Sequence, residues 1–186
     1  MLVIDSELEL VLIQAHHAEP LFKIVERDRA YLRRWQNWPD YIQTVDDMMM
    51  IVDRSDQKIS TGNGFDLVIC YRGQVVGKIG LVYVAVAHLR TEIGYWLGQD
   101  FQGHGIMTRA CVAVTAYAFH HMLMETVNIR CALGNTRSRA IPERLGFVDT
   151  GLLPNKTWLH GRRIEETLYM MTPDRWSRLH NPQHKI

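Results

Sequence analysis

Between Glu92 and Thr108 the chain reads Glu-Ile-Gly-Tyr-Trp-Leu-Gly-Gln-Asp-Phe-Gln-Gly-His-Gly-Ile-Met-Thr. Gly103 and Gly105 allow the backbone to turn tightly and to come close to a ligand. Met107, Ala110, Cys111, Val114, Ala118 and Met122 follow at helical spacing and predict a helix over Met107–Met122. A glycine loop that opens a helix leaves unpaired amides pointing outward. Such a terminus is an anion site, and a diphosphate would fit it without any lysine. The same glycines also serve a plain strand-to-helix turn, and the motif alone does not separate the two. Walker A is excluded, because no Gly-Lys-Ser/Thr follows. The dinucleotide fingerprint is excluded as well, because position 108 is Thr where a third glycine is needed.

Other residues that could do chemistry are scattered. In a strand over Arg90–Gly98, Thr91, Ile93, Tyr95 and Leu97 share one face, and Glu92, Gly94 and Trp96 share the other. Read locally, Asn135 is a turn residue and Ser138 caps a short helix. Neither His16-His17 nor His120-His121 has a spaced partner of the metal-binding kind, so these read as solvent-facing or cap residues. His104 lies in the glycine loop, where an imidazole could meet a phosphate; Arg109 and Arg137 are similarly placed. The three cysteines, Cys70, Cys111 and Cys131, are odd in number and sit in apolar runs, which predicts buried reduced thiols and no structural zinc.

The elements that must carry these residues follow from periodicity and punctuation. Leu8–Gln14 reads as a strand and Ala18–Arg27 as a helix. Tyr31-Leu32-Arg33-Arg34-Trp35 and Trp38-Pro39 read as an aromatic, basic connector. Thr44 is an N-cap, with Asp46 and Asp47 in the first turn of a helix running to about Ser60. A meander follows: Phe65–Tyr71, a turn at Arg72-Gly73, Gln74–Val84, then Arg90–Gly98. Beyond the helix at Met107 come a strand at Thr126–Leu133 and a short helix at Arg137–Leu145 stopped by Gly146. Phe147–Leu159 and Arg163–Thr172 form a closing hairpin around His160-Gly161. The class is α/β with a mixed, mostly antiparallel sheet of about seven strands flanked by helices, unlike the regular alternation of a doubly wound fold. One domain spans 1–180, and 181–186 form a polar tail.

Composition sets the outer limits. The chain has 186 residues, 47% hydrophobic and 22% charged, which suits one soluble domain. A formal net charge of +1 gives no global argument for nucleic acid or an anionic membrane. There is no signal-peptide pattern and no run of about 18 apolar residues, so a cytoplasmic setting is expected.

Gln102-Gly103-His104-Gly105-Ile106, following Glu92-Ile93-Gly94-Tyr95-Trp96-Leu97, resembles the acetyl-CoA-binding motif of the GNAT acetyltransferases. The nearest branch is the one that acetylates the N-termini of ribosomal proteins. Asn135-Thr-Arg-Ser138-Arg-Ala-Ile-Pro-Glu-Arg-Leu145-Gly146-Phe147 is similar to that branch's second signature, and Tyr31–Trp35 extends the likeness upstream. Met107 departs from the pattern, which has Gly or Ala there.

The resemblance implies the remaining roles. Acetyl-CoA is the co-substrate, without a metal. Its diphosphate lies on the amides of Gln102, Gly103, His104, Gly105, Ile106, Met107 and Thr108. Its pantetheine arm lies where the strands of Glu92 and Thr126 splay apart, and amides near Trp96 and Leu97 polarise the thioester carbonyl. Asn135 holds the arm and Ser138 protonates the leaving thiolate. Glu92 is the first candidate for the base that leaves the amine neutral, its alternative being a surface pairing with Lys or Arg. The branch can also carry a carboxylate where this chain has Thr157, and Glu165 and Glu166 could compensate. The acceptor implied is a protein or peptide N-terminus, with no direct nucleic acid or membrane partner, and a homodimer is the implied assembly. Competing readings are a small amine, polyamine or aminoglycoside acceptor, and a non-catalytic acyl-CoA-binding module.

Overall fold

The structure, a computed structural model, describes residues 2–155 and 157–180. In chain order its elements are β1 (Leu2–Val3), β2 (Leu8–Leu12), α1 (Ala18–Leu32), α2 (Val45–Ser60), β3 (Phe65–Tyr71), β4 (Gln74–Ala85), β5 (Arg90–Leu97), α3 (Ile106–His120), β6 (Thr126–Ala132), α4 (Thr136–Arg144), β7 (Val148–Leu152), β8 (Thr157–Leu159), β9 (Arg162–Ile164), β10 (Glu166–Met171) and α5 (Pro173–His180). The main sheet has eight strands in the order β1-β2-β3-β4-β5-β6-β10-β7, and β8 and β9 make a separate ribbon. Every pairing is antiparallel except β5 with β6, which α3 joins by a crossover.

Alternation along the strands builds two cores. Ile93 of β5, Ile79 and Leu81 of β4 and Ile129 of β6 pack with Ala110, Cys111, Val114 and Ala118 of α3. Trp96 and Val68 face the other way, against Leu21, Val25, Met48 and Val52 of α1 and α2. The predicted faces of the strand at Glu92 are therefore the observed ones. Local signals account for the helix ends. Thr44 caps α2, its hydroxyl accepting from the Asp47 amide at 3.2 Å while the Asp47 carboxylate takes the Thr44 amide at 2.8 Å. All three cysteines are free and buried.

Several boundaries differ from expectation, each for a physical reason. The sheet has one strand more than about seven, because β1 is two residues long and carries no readable period. Helix α1 runs on to Leu32 and absorbs the start of the connector; Leu32 is buried and continues the stripe of Leu21, Ile24 and Val25. The closing hairpin is split into the β8–β9 ribbon and the β7–β10 pair, with Pro154 between β7 and β8 supplying no N–H for a continuous ladder. Helix α5 was not anticipated. It docks through one buried residue, Trp176, and Arg175 donates to the Gly146 carbonyl at 2.5 Å. Of the two readings offered for His17, solvent-facing or cap residue, the second holds: the ring is buried and its Nδ1 accepts the Gln14 amide at 3.0 Å in a capping box. The expected polar tail, 181–186, lies outside the described residues.

Candidate active site

The parallel ladder between β5 and β6 runs only from Arg90↔Thr126 to Ile93↔Ile129. Both strands continue, β5 to Leu97 and β6 to Ala132, but they no longer pair with each other. The sheet thus opens down its middle, and a cleft of about 730 Å³ occupies the gap. Tyr95 and Leu97 form one wall, Asn135 and Ser138 the other, and the glycine loop closes one end.

Gly105 is the N-cap of α3 at φ +69°, and Gly103 has φ +81°. A Cβ at either would touch nothing within 4 Å, so the backbone conformation, not crowding, requires glycine there. Without side chains the first amides of α3 stay open toward the cleft. Met107 is buried in the core with Ala110 and Cys111, so its bulk turns away from the loop's outer surface. His104 is exposed, near the Tyr71 ring, and does not line the cleft. The Gly98 amide donates to Val76 on β4 at 2.8 Å. By strand alternation the Trp96 amide faces β4 as well, whereas those of Tyr95 and Leu97 face the gap.

At the head of α4 the local readings change places. The cap is Asn135, whose Oδ1 accepts the Ser138 amide at 3.2 Å. The Ser138 hydroxyl is left for other partners. It donates to Tyr95 Oη at 3.3 Å and lies 3.3 Å from Cys131 Sγ. Burial pushes the Tyr95 phenol well above its ordinary pKa and also raises the Cys131 thiol.

Glu92 looks out on the opposite side of the sheet. It is 8% exposed, and Arg130 Nη2 donates to it at 3.1 Å. Burial raises its pKa, and the Arg130 charge offsets part of that rise. Glu166 is the next carboxylate and adds to the rise; it accepts the hydroxyl of Thr157. So Thr157 holds a carboxylate where it does not supply one. Helices α1 and α2 pack against β3 and β4 on this face. The β8–β9 turn reaches over to the α1–α2 connector: Asn37 Nδ2 donates to the Trp158 carbonyl at 2.7 Å, and His160 Nε2 lies 2.6 Å from the Arg33 carbonyl.

The Acetyltransferase (GNAT) domain pattern matches residues 7–148. The chain belongs to the GNAT acetyltransferase family. Among relatives, the acetyltransferase is 27% identical over 174 residues to YdaF of Bacillus subtilis (strain 168), named "Putative ribosomal N-acetyltransferase", with 93% of this chain and 95% of that protein covered. It is 25% identical over 166 residues to the ribosomal-protein-serine acetyltransferase of Escherichia coli (strain K12), covering 89% and 93%. Among solved structures, RimL, a ribosomal L7/L12 α-N-protein acetyltransferase in complex with coenzyme A, superposes with a TM-score of 0.89 over 93% of this chain and 98% of that one. At 22% identity that likeness shows the fold.

Arg137 and the connector of Tyr31 and Trp35 were singled out in the sequence; Arg144, Asp28 and the place of Tyr95 in the acetyltransferase's cleft were not. Arg144 reaches from α4 to Thr108 Oγ1 at 3.0 Å, and Arg137 to Gln102 Oε1 at 2.7 Å, so two guanidinium groups span the mouth. Buried Asp28 of α1 accepts the Gln99 amide at 2.8 Å and fixes the approach to the glycine loop. Tyr31 and Trp35 wall the cleft on the α1 side. Tyr95 had been noticed only as a member of a strand face. Its alternation with Trp96 was the one signal that pointed it at the gap.

Proposed function

We propose that this acetyltransferase moves the acetyl group of acetyl-CoA to a protein N-terminal α-amine of ribosomal type, by direct attack within a ternary complex. The observation that carries the reading is the split between β5 and β6, with the glycine-capped terminus of α3 at one end of the cleft it makes. The residues fit the co-substrate. Amides at the start of α3 and the guanidinium groups of Arg137 and Arg144 suit a diphosphate. The unpaired edge of β5 suits an extended amide arm, and Leu97 rather than Trp96 offers its amide to the thioester carbonyl. Asn135, its Oδ1 engaged in the cap, offers Nδ2 to the arm.

The two faces divide the proton chemistry. Glu92, made more basic by burial, takes a proton from the incoming amine on the side of the sheet away from α4, directly or through water. Ser138 donates to the leaving sulfur on the α4 side. An α-amine has a pKa of about 7.7–8.0 against about 10.4 for lysine, so far more of it is neutral at pH 7 and a modest base suffices. The face at Glu92, bridged by the β8–β9 turn and the α1–α2 connector, suits an extended chain end. The printed names of the two relatives point to the same acceptor class, and the cytoplasm is the compartment that goes with it.

The test is incubation with bacterial ribosomal proteins and labelled acetyl-CoA, followed by mass spectrometry of the modified sites. Label on α-amines is expected. Label confined to small polyamines or aminoglycosides would overturn the protein acceptor and leave acetyl transfer standing. No transfer to any amine, with coenzyme A still bound, would make the chain an acyl-CoA-binding module.

A further inference from the structure

Helix α4 contains a proline, Pro142, near its end. Proline has no N–H, so the carbonyl four residues earlier loses its helical donor. That carbonyl belongs to Ser138. The hydroxyl of Tyr95 takes the empty place, donating to the Ser138 carbonyl at 3.1 Å from across the cleft. The same oxygen accepts the Ser138 hydroxyl at 3.3 Å. One phenol therefore meets one serine twice, and the second contact exists because the proline opened the first.

We propose that Tyr95 is a positioning residue for Ser138, placed by the carbonyl that Pro142 leaves open. The inference rests on Ser138 being the donor to the leaving thiolate. In the resting site the Tyr95 proton lies on the Ser138 carbonyl, and the Tyr95 oxygen fixes the rotamer of the Ser138 hydroxyl. During transfer the C–S bond breaks, the sulfur takes the Ser138 proton, and the electron pair of that O–H bond stays on Oγ. Tyr95 then turns its proton from the carbonyl to Oγ by rotation about one C–O bond and holds the charge. The N–C bond made to the acetyl carbon replaces the C–S bond broken, Glu92 passes the amine's proton to solvent, and Oγ takes one back from solvent, so the cycle balances. Burial keeps the phenol neutral and able to donate throughout. A serine hydroxyl alone is a weak acid; a hydrogen bond to its developing oxyanion is what makes it serviceable.

Tyr95→Phe and Pro142→Ala separate this role from helix support. Tyr95→Phe should lower kcat by about tenfold, a fraction of the ~10²–10⁴ that a positioned acid supplies, with KM for acetyl-CoA unchanged. Its thermal midpoint should fall, because the Ser138 carbonyl loses the Tyr95 donor. Adding Pro142→Ala restores a helical N–H to that carbonyl. The double variant should regain the midpoint and remain slow. Recovery of kcat along with the midpoint would overturn the proposal, since Tyr95 would then only prop the helix. In a Ser138→Ala background Tyr95→Phe should cost nothing further; an equal loss in both backgrounds would also overturn it. Wild-type turnover in Ser138→Ala would remove the donor reading and the proposal with it. A slow Ser138→Ala beside a full-speed Tyr95→Phe would remove the proposal alone.

Discussion

Asn135 and Ser138 stand three residues apart at the head of α4, and their atoms are committed differently. Asn135 spends Oδ1 on the helix cap, whereas Ser138 spends only its backbone amide there. Asn135→Ala should therefore cost about 1 kcal/mol of stability and weaken acetyl-CoA binding, with kcat largely kept. Ser138→Ala should leave binding intact and lower kcat by ~10²–10⁴. Calorimetry beside steady-state rates reads both. Glu92 carries the opposite kind of signature. A carboxylate whose pKa is raised in the folded state makes folding less favourable as pH rises and it ionises. Glu92→Gln removes that cost, and Arg130, which is 43% exposed in its side chain, can turn to solvent. The variant should melt no lower than wild type at pH 7 yet transfer more slowly, recovering partly at high pH as the amine loses its proton. A pH–rate profile identical to wild type would exclude Glu92 as the base. Glu92, Asn135 and Ser138 could be singled out as candidates because they lie in continuous motifs. Tyr95 and Arg144 could not, because their partners, Ser138 and Thr108, are 43 and 36 residues away.

Among the elements, β3, β4 and α2 are joined by a buried charge cluster remote from the cleft. Asp66 of β3 takes Lys58 of α2 at 2.9 Å and Lys78 of β4 at 2.5 Å. Burial alone would raise the Asp66 pKa; Lys78 and Lys58 outweigh it and hold the carboxyl below its usual range. The stability this gives is present above the ordinary carboxylate pKa and is lost as pH falls through the lowered folded value. Asp66→Asn leaves two lysines facing each other and should cost about 3–5 kcal/mol at pH 7, read as a lower urea midpoint with turnover per folded molecule unchanged. The sequence announced these strands and helices through period and punctuation: Arg72-Gly73 gave the β3–β4 turn and Thr44 the start of α2. It did not announce the cluster, since Lys58, Asp66 and Lys78 look like ordinary surface charges until the sheet pairs. Helix α5 stayed hidden for a related reason. A helix with one buried side chain offers almost no apolar stripe to read.

At the scale of the molecule, the split parts the sheet into two sides, β1–β5 and β6 with β10 and β7, over one continuous core. Ile129, Cys131, Tyr169 and Trp176 pack in the same cluster as Ile93, Ala110 and Val114, and the four paired positions of the β5–β6 ladder and bridges such as Tyr95 to Ser138 and Arg144 to Thr108 join the sides as well. A co-substrate lying in the gap bonds to both. At a hundred times its Kd it should add about 2.7 kcal/mol to unfolding, visible as a higher thermal midpoint. The same division has a mechanical meaning. Leu2 and His180 lie on different sides of the split, so tension applied between them loads the β5–β6 ladder and the core that runs beneath it together. Pulled singly, the protein should yield at that seam and lose the shared core in the same step, and coenzyme A should act as a rivet that raises the force of the rupture.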